Sequence, residues 1–301
     1  MPQLKLKDYS SAICLHDQFV PRKMPPTQLD HVVDVLIKDL LEEPDVSREI
    51  EIPDDYMGKR NLLRALLNIR SPKQLNDQFL KKMDYLLQTE LMEKGIVNVE
   101  DLESVSTLFP NNPYFQSDKF ILWQGDITQL KTDVIVNAAN NQMLGCFQPL
   151  HACIDNAIHS AAGPQLRNDC KIIMSKQREL EETGNAKITR AYNLPSKFVL
   201  HTVGPIVPKG KPLSQKQRNK LASCYISCLE LANQMKEIKS IAFCAISTGV
   251  FGFPKYEAAE IAIKTVNQWL IKNKSRLNKI VFNVFGQGDY EIYSNLFKGE
   301  K

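Results

Sequence analysis

The sequence has no long apolar run and no large excess of charge of one sign. Its longest apolar stretches fall well short of the roughly 18 residues that a membrane-spanning helix needs. The first residues, MPQLKLKDYSSAICLHDQF, lack the sustained apolar core of a signal peptide and carry early acidic residues. The 38 basic and 34 acidic side chains leave a formal charge of only +4, and no dense Lys/Arg tract contains interleaved aromatic residues. These absences predict a cytoplasmic protein that uses neither a membrane nor a nucleic acid as partner.

The cysteine count and the overall composition indicate which class of protein this is. Seven cysteines are an odd number in a chain of 301 residues with no secretory signal, which favours reduced thiols and puts metal binding or catalysis ahead of disulfides. Hydrophobic residues at 43% and charged residues at 24% are typical of folded globular proteins. At about 150 residues per domain, the length predicts two domains.

Residues 1–115 differ from the rest of the chain. An amphipathic pattern begins near Pro26-Thr27, continues to Leu41 and ends in a loop that includes Asp45. A second helical stretch covers about 60–69, and a third follows Ser71-Pro72, which we interpret as an N-cap and a first-turn proline. A turn-rich linker follows at 109–113. We therefore predict a small helical N-terminal domain, 1–115, without a catalytic motif.

Residues 116–301 alternate between strand and helix patterns. Strands are predicted at 120–123, 133–137, 198–202, 240–246 and 279–285, and helices at 154–162, 164–181, 214–236, 254–272 and 289–297. This alternation predicts a largely parallel sheet with both faces covered by helices. Ligands of such folds bind beyond the carboxyl ends of the strands, so the loops after Asn137, His201 and Ile246 are the first places to search for a site.

Three short segments near predicted strand ends have the residue types of a binding site. Gly125-Asp126-Ile127-Thr128 offers a carboxylate that could accept from an exocyclic amine or could only cap a turn. Val136-Asn137-Ala138-Ala139-Asn140 either lets a ligand approach the backbone or closes the strand as a polar turn. Ser247 to Pro254, STGVFGFP, places glycines and hydroxyls before a helix, which suits a phosphate or a tight turn with packed aromatics.

Two thiols and an imidazole, Cys146, His151 and Cys153, lie within eight residues of one another. Cysteine and histidine are the preferred ligands of zinc, and three of them leave the fourth tetrahedral position open, as in a catalytic site. The alternative is a pair of buried free thiols near a hydrogen-bonded histidine.

The remaining cysteines carry less weight, and the pair Cys224 and Cys228 is interpreted as structural together with His201 and His159. Cys224 and Cys228 lie one helical turn apart on an apolar face, which is typical of buried thiols, while Cys14, Cys170 and Cys244 stand alone. His201 lies in a buried strand pattern and is expected to be a hydrogen-bonded core histidine. His159 follows Asp155 by four residues and is expected to pack or hydrogen-bond there.

Taken together, the segments resemble a macrodomain, the α/β module that binds ADP-ribose, over about residues 118–298. Four segments match in order and spacing: Gly125–Thr128, Val136–Asn140, His201–Pro205 and Ser247–Gly252. The segment IDNAIHSAAGP, which begins at Ile154, is similar to the one that carries a catalytic aspartate in MacroD-type hydrolases. The resemblance implies a three-layer α/β/α fold with a mostly parallel mixed sheet over 116–301.

One departure from the MacroD pattern points to a subgroup. MacroD-type proteins have a glycine run where this chain has GCFQPLHAC. That replacement, with a helical N-terminal extension, resembles the zinc-dependent macrodomains of microbes, which are linked to a sirtuin-type ADP-ribosyltransferase and a lipoyl carrier protein. The resemblance implies one Zn²⁺ per chain, held by Cys146, His151 and Cys153. The signature of poly-ADP-ribose glycohydrolases is absent, so polymer cleavage is not expected.

The resemblance also implies roles for individual residues. Asp126 would accept from the adenine amino group beside the Ile127 backbone, Asn140 would bind the distal ribose, and Phe285 would line the adenine side. Asp155 would orient water or act as general base, or would instead support His151. The loop that would hold the diphosphate comprises Ser247, Thr248, Gly249, Val250, Phe251 and Gly252, with Phe251 packed on the distal ribose.

The expected reaction is the removal of single ADP-ribose units from modified acidic side chains of proteins. Two alternatives stay open from the sequence. One is a non-catalytic ADP-ribose-binding module with a structural zinc. The other is a hydrolase of small derivatives such as O-acetyl-ADP-ribose or ADP-ribose-1″-phosphate.

Overall fold

The computed structural model describes residues 4–44 and 50–300 of the chain. Residue Asp45, which we placed in the loop after the first long helix, lies outside the described residues. The helices are α1 Leu6–Tyr9, α2 Leu29–Leu41, α3 Tyr56–Ile69, α4 Asp77–Lys94, α5 Val105–Leu108, α6 Ile154–Ala162, α7 Pro164–Gln177, α8 Gln215–Gln234, α9 Lys255–Lys272 and α10 Gln287–Lys298. The strands are β1 Val97–Asn98, β2 Phe120–Gln124, β3 Leu130–Lys131, β4 Val134–Ala139, β5 Ala186–Arg190, β6 Phe198–Val203, β7 Ser240–Phe243 and β8 Lys279–Val284.

A six-stranded sheet in the order β2-β8-β7-β4-β6-β5 forms the centre of the molecule. All neighbouring strands are parallel except β5, which pairs antiparallel with β6. Strands β4 and β6 are almost wholly buried, because helices cover the sheet on both sides. The predicted α/β fold, with helices on both faces of a mostly parallel mixed sheet, is confirmed.

Several element boundaries differ from the sequence prediction. The Ser71-Pro72 cap is wrong: α4 begins at Asp77, and the Asn76 side chain caps it by accepting from the backbone N–H of Phe79 at 2.8 Å. Strand β7 ends at Phe243 rather than Ile246, and α7 ends at Gln177. The edge strand β5 was not predicted.

The buried apolar residues form two clusters. The smaller lies between α2, α3 and α4, with residues from Val32 to Leu87. The larger covers the sheet and also includes Tyr9, Ile13 and Val105 from the N-terminal part of the chain. The chain before residue 115 therefore contributes to both cores, and the domain boundary at 115 stays a prediction. Among the described residues, no helix combines the length and the apolar character of a membrane span.

Candidate active site

A cavity of about 370 Å³ opens at the carboxyl ends of β4 and β7. This is the sheet edge at which the sequence predicted ligand binding. Two smaller cavities, of about 30 and 160 Å³, lie between the N-terminal helices and the sheet-bearing part. The lining of the large cavity comprises Ala138, Ala139, Asn140, Cys146, His151, Ala152, Cys153, Ile154, Asp155, Cys244, Ala245, Ser247, Thr248, Gly249, Val250, Phe251, Asn283, Phe285 and Asp289.

The predicted metal ligands converge on one wall of this cavity. One donor atom from each of Cys146, His151 and Cys153 lies within 4.8 Å of the others, and Cys146 Sγ is 3.5 Å from His151 Nδ1. All three side chains are half-buried. Two sulfurs and an imidazole that face open space are a donor set suited to zinc with one position free for a further ligand. The residues present therefore fit a zinc ion.

Cys153 stands at the start of α6, where it is the N-cap residue. Its Sγ accepts a hydrogen bond from the backbone N–H of Asn156 at 3.4 Å. Burial raises the pKa of the Cys153 thiol to about 11, and the neighbouring Cys146 adds to the rise. A metal ion would reverse that effect, because thiolates rather than thiols are its ligands.

Asp155 follows in the first turn of α6 and is buried at the cavity wall. Its Oδ1 accepts from Asn137 Nδ2 at 2.8 Å, and its Oδ2 accepts from Asn140 Nδ2 at 3.4 Å. Burial raises the pKa of this carboxyl to about 6, while the bond from Asn137 opposes the rise. His159 Nε2 lies 3.5 Å from Oδ1, and neither ring nitrogen of His159 has a hydrogen-bond partner among the described residues. The carboxylate is thus oriented by two amides from β4 and the loop after it.

Asn140 joins this carboxylate to the loop that carries the predicted metal ligands. Its Nδ2 also donates to the Gly145 carbonyl at 3.1 Å, and its Oδ1 accepts from the Gln142 N–H at 2.9 Å. The predicted site residues Asn140, Cys146, His151, Cys153 and Asp155 therefore meet in one cavity.

The predicted phosphate loop forms the opposite part of the cavity lining. Ser247 has a left-handed backbone with φ of 67°, and its buried Oγ has no partner within the described part of the chain. The loop is held by bonds from Phe253 N to Ser247 O at 2.9 Å and from Gly252 N to Gly249 O at 3.0 Å. In the described residues, the successive N–H groups of Gly249, Val250 and Phe251 donate to no protein acceptor. Such free N–H groups ahead of a helix are suited to bind an anion.

Asp126 lies apart from this group. Its Oδ1 accepts from Thr128 N at 2.9 Å and from Thr128 Oγ1 at 2.7 Å, so it caps the turn at Ile127. It lines the 160 Å³ cavity rather than the large one. The link to the large cavity is Asn283, whose Nδ2 donates to the Gly125 carbonyl at 2.9 Å. The adenine role of Asp126 and of the buried Ile127 stays a prediction.

Sequence reasoning missed some of the lining and included a loop that does not contribute. Asn283 and Asp289 line the cavity beside the predicted Phe285, whose ring is 81% exposed. The polar Asn283 in an otherwise apolar strand, VFNVF, was the signal that could have found it. The loop after His201 is absent from the lining. Instead, Gly204 packs directly against Ser247.

The cysteine pair Cys224 and Cys228 and the histidines His159 and His201 do lie in the core. His201 is fully buried, its Nε2 lies 2.9 Å from Thr189 Oγ1 and its Nδ1 lies 3.2 Å from Asn137 Nδ2. Burial lowers its pKa to about 3. Cys224 and Cys228 are buried free thiols. The prediction of a hydrogen-bonded core histidine and buried structural thiols is confirmed.

Comparison with known proteins agrees with this architecture. Residues 136–262 match the family model described as Macro domain. The chain is 49% identical over 261 residues to a protein of Treponema medium named "Protein-ADP-ribose hydrolase". The matched region covers 87% of this chain and 96% of that protein. It is 43% identical over 265 residues to a protein of the same name from Staphylococcus aureus strain MRSA252. That match covers 88% of this chain and 94% of the Staphylococcus protein.

A solved structure gives the same result at the level of the fold. The Trypanosoma brucei macrodomain in complex with ADP-ribose is similar with a TM-score of 0.57 and 28% sequence identity. The similarity covers 77% of this chain and 94% of that one. With its sheet order, its cavity and these relatives, the chain belongs to the macrodomain family.

Proposed function

We propose that this chain is a zinc-dependent hydrolase that removes single ADP-ribose units from acidic side chains of modified proteins. The observation that carries the proposal is the opening of the Cys146, His151 and Cys153 donor set into the same cavity as the loop 247–252. The named activity of the Treponema and Staphylococcus relatives supports the hydrolase part, since the similarity spans nearly their whole length.

The large cavity offers groups for the diphosphate, the distal ribose and the face of the adenine, whereas Asp126 lies outside it. The free N–H groups of Gly249 to Phe251 would bind the diphosphate, and Asn140 would bind the distal ribose. Phe251 would pack on that ribose, and the exposed Phe285 ring would face the adenine side. Asp126 would accept from the adenine amino group.

One Zn²⁺ would be held by Cys146, His151 and Cys153 at the end of the cavity that contains Asp155. Bound there, zinc would supply Lewis acidity, which polarises a substrate oxygen or lowers the pKa of a coordinated water. Binding of zinc by the two cysteines and the histidine would also restrict the loop that carries them.

We assign the proton transfer to Asp155. Asn137 and Asn140 hold its carboxylate, and its Oδ2 faces the Asn140 amide at the cavity wall. In the proposed reaction, water adds to the anomeric carbon of the distal ribose as the bond to the protein carboxylate breaks. Asp155 accepts the proton of that water. The products are free ADP-ribose and the unmodified acidic side chain.

The proposed substrate is a mono-ADP-ribosylated protein. A lipoyl carrier protein modified by a sirtuin-type transferase is the specific candidate that the resemblance supplies. A cytoplasmic location is part of the same prediction.

The test measures zinc content by elemental mass spectrometry and release of ADP-ribose from a protein modified on glutamate. We expect about one zinc per chain in the wild type, and loss of both zinc and turnover in Cys146→Ala and Cys153→Ala. Cys14→Ala is the matched control, because that thiol is exposed and remote from the cavity lining. ADP-ribose affinity, measured by calorimetry, should change little in the cavity variants.

Each other outcome counts against a defined part of the proposal. Full turnover in both cavity variants would contradict the metal mechanism. Zinc without release from any modified protein would favour a binding module with a structural zinc. Release only from O-acetyl-ADP-ribose or ADP-ribose-1″-phosphate would identify a hydrolase of small derivatives.

A further inference from the structure

We infer that helix α3 of the N-terminal part positions the metal-binding loop, and that Asn68 is the principal positioning residue. The inference rests on the proposed function, because it takes zinc as the ion that the loop binds. We call the hydrogen-bonded set Arg64, Asn68 and Asn156 the α3 clamp. Arg64 and Asn68 lie on α3, and Asn156 lies in the first turn of α6.

The metal-binding loop has little structure of its own. Between Gly145 and Cys153 no helix or strand is formed. Its internal backbone bonds are His151 N to Gln148 O at 3.3 Å and Cys153 N to His151 O at 3.0 Å. Leu150 adopts a left-handed φ of 55°, a conformation that is uncommon for a residue with a side chain. Contacts from outside must therefore hold the loop in shape.

Asn68 supplies the nearest of those contacts. Its Oδ1 accepts from the backbone N–H of Leu150 at 3.1 Å and from Asn156 Nδ2 at 3.0 Å. Its Nδ2 donates to Ser160 Oγ at 3.3 Å. The side chain is buried, so each lost partner would remain without water as a replacement. Leu150 directly precedes His151, the predicted ligand. The N–H of Leu150 is therefore held by a residue that lies more than eighty positions earlier in the chain.

Asn156 extends the clamp to a second ligand. Its Nδ2 also donates to the Gln148 carbonyl at 3.2 Å, and its backbone N–H donates to Cys153 Sγ at 3.4 Å. Its Oδ1 accepts from Arg64 Nη2 at 2.7 Å and Nε at 3.2 Å. Asn156 is fully buried, and each of its polar atoms has a partner. The clamp therefore touches the loop before His151 and touches the sulfur of Cys153 itself.

Arg167 on α7 fixes the end of α3 that carries the clamp. Its Nη1 donates to the carbonyls of Leu67, Asn68 and Arg70, at 2.9, 2.9 and 2.7 Å. A cation at the C-terminus of a helix is favoured by the helix dipole. The same guanidinium lies 4.5 Å from the ring centroid of Phe147, the residue after Cys146. The loop thus contacts α3 directly at Leu150, and it is linked to α3 indirectly through Asn156 and Arg167.

The positioning role of Asn68 can be distinguished from a contribution to the stability of the interface between α3 and the sheet-bearing part. A residue that orients metal ligands by hydrogen bonds changes metal affinity, typically by 10–100-fold when it is removed. A residue that only joins two parts of the fold changes the unfolding free energy and leaves metal affinity unchanged. Zinc affinity is therefore the discriminating measurement.

The experiment measures zinc affinity of the full chain by competition with a chromogenic chelator. Asn68→Leu leaves the backbone N–H of Leu150 and one of the two N–H bonds of the Asn156 amide without an acceptor, and we expect zinc affinity to fall about tenfold or more. Asn68→Asp keeps two accepting oxygens, so it should restore most of that affinity. Turnover of Asn68→Leu should recover when zinc is supplied in excess, and ADP-ribose affinity should stay close to the wild-type value.

Gln88→Leu is the matched control. Gln88 on α4 donates from Nε2 to Asn193 O at 2.9 Å across the same interface, but it does not contact the loop. Unchanged zinc affinity in Asn68→Leu would overturn the inference, and so would an equal loss in Gln88→Leu. A wild type that binds no zinc would instead overturn the proposed function.

If Asn68→Leu fails to fold, Arg64→Met replaces it as the test variant. Arg64→Met removes only the bonds from Arg64 to Asn156 Oδ1, and unchanged zinc affinity in that variant would equally overturn the inference.

Discussion

A chain of polar side chains runs behind the cavity from Asp155 into the core. Asn137 donates to Asp155 Oδ1 and lies 3.2 Å from His201 Nδ1, while Thr189 Oγ1 lies 2.9 Å from His201 Nε2. His201 is completely buried and faces no carboxylate directly, so the neutral ring is the stable form. Asn137 Nδ2 makes both contacts, so the amide group lies between the buried ring and the carboxylate and orients that carboxylate.

This buried imidazole makes folding stability depend on pH. The pKa of His201 is about 3 in the folded chain because of burial, against about 6.5 in an unfolded chain. Between these values the unfolded state binds more protons, so the free energy of unfolding falls as pH falls. From pH 7.5 to 5.0 we expect His201 to account for a loss of about 2 kcal/mol. His159, whose pKa burial also lowers, acts in the same direction.

Chemical denaturation at the two pH values, with a chelator present to remove zinc, measures this loss. His201→Gln should be less stable at pH 7.5 but should lose about 2 kcal/mol less than the wild type on acidification. His31→Gln, at an exposed position, should keep the wild-type dependence. Equal pH dependence in the wild type and His201→Gln would show that the ring is not held neutral.

Local spacing predicted the site residues that are close in sequence, and it missed those that are not. Cys146, His151 and Cys153 could be predicted as metal ligands because they form a short pattern on one loop. The partners of Asn68 and Asn283 lie far along the chain, so the sequence could not assign them, although Asn283 stands out as a polar residue in an apolar strand. The Asp126 segment was recognised by type, but only the structure shows that its carboxylate caps a turn outside the large cavity.

At the scale of elements, the loop after β7 depends on a close approach by the loop after β6. A Cβ added to Gly204 would collide with the Ser247 hydroxyl and would lie 3.0 Å from Ile246 Cγ2. Ser247 already has a left-handed backbone, so it has little freedom to move away without shifting the N–H groups of the loop.

We therefore expect Gly204→Ala to weaken ADP-ribose binding by about tenfold, equivalent to about 1.4 kcal/mol, with zinc content unchanged. Isothermal titration calorimetry measures the affinity. Gly288→Ala in α10 is the control, because a Cβ there meets nothing within 4 Å. Wild-type affinity in Gly204→Ala would mean that the loop tolerates displacement of Ser247.

The elements of the sheet were largely predictable, with one instructive exception. Strands β4 and β6 are buried on both faces, and each begins with a run of three apolar residues, VIV and FVL. Strand β5 reads Ala-Lys-Ile-Thr-Arg, with a fully buried Lys187 that pairs with Glu181 at 2.5 Å. A buried charge hides the apolar pattern on which strand prediction depends, and its partner could not be assigned from the sequence.

At the scale of the whole molecule, buried polar contacts join the two apolar cores. Asp84 on α4 has no solvent exposure. Its Oδ1 accepts from Gln165 Nε2 at 3.1 Å and Asn193 Nδ2 at 2.9 Å, both in the sheet-bearing part. Its Oδ2 accepts from Arg22 N at 3.1 Å and Arg22 Nη1 at 3.0 Å. One carboxylate thus connects the N-terminal segment, the helical core and the larger core, so we expect the two cores to unfold together.

Removing this carboxylate tests that expectation. Asp84→Ala removes the acceptor of Arg22 Nη1 and of one N–H on each of the Gln165 and Asn193 amides, and we expect the free energy of unfolding to fall by about 3 kcal/mol or more. Asp77→Ala removes the other partner of Arg22, but Asp77 is 76% exposed, so that variant should lose less than about 1 kcal/mol. Urea denaturation followed by circular dichroism measures both values.

The number of unfolding transitions tests whether the two cores unfold together. The wild type should unfold in one transition, and Asp84→Ala should unfold in two. The smaller core should unfold first, because it has lost its connection to the sheet. A single unshifted transition in Asp84→Ala would mean that apolar contacts, rather than this carboxylate, hold the two cores together.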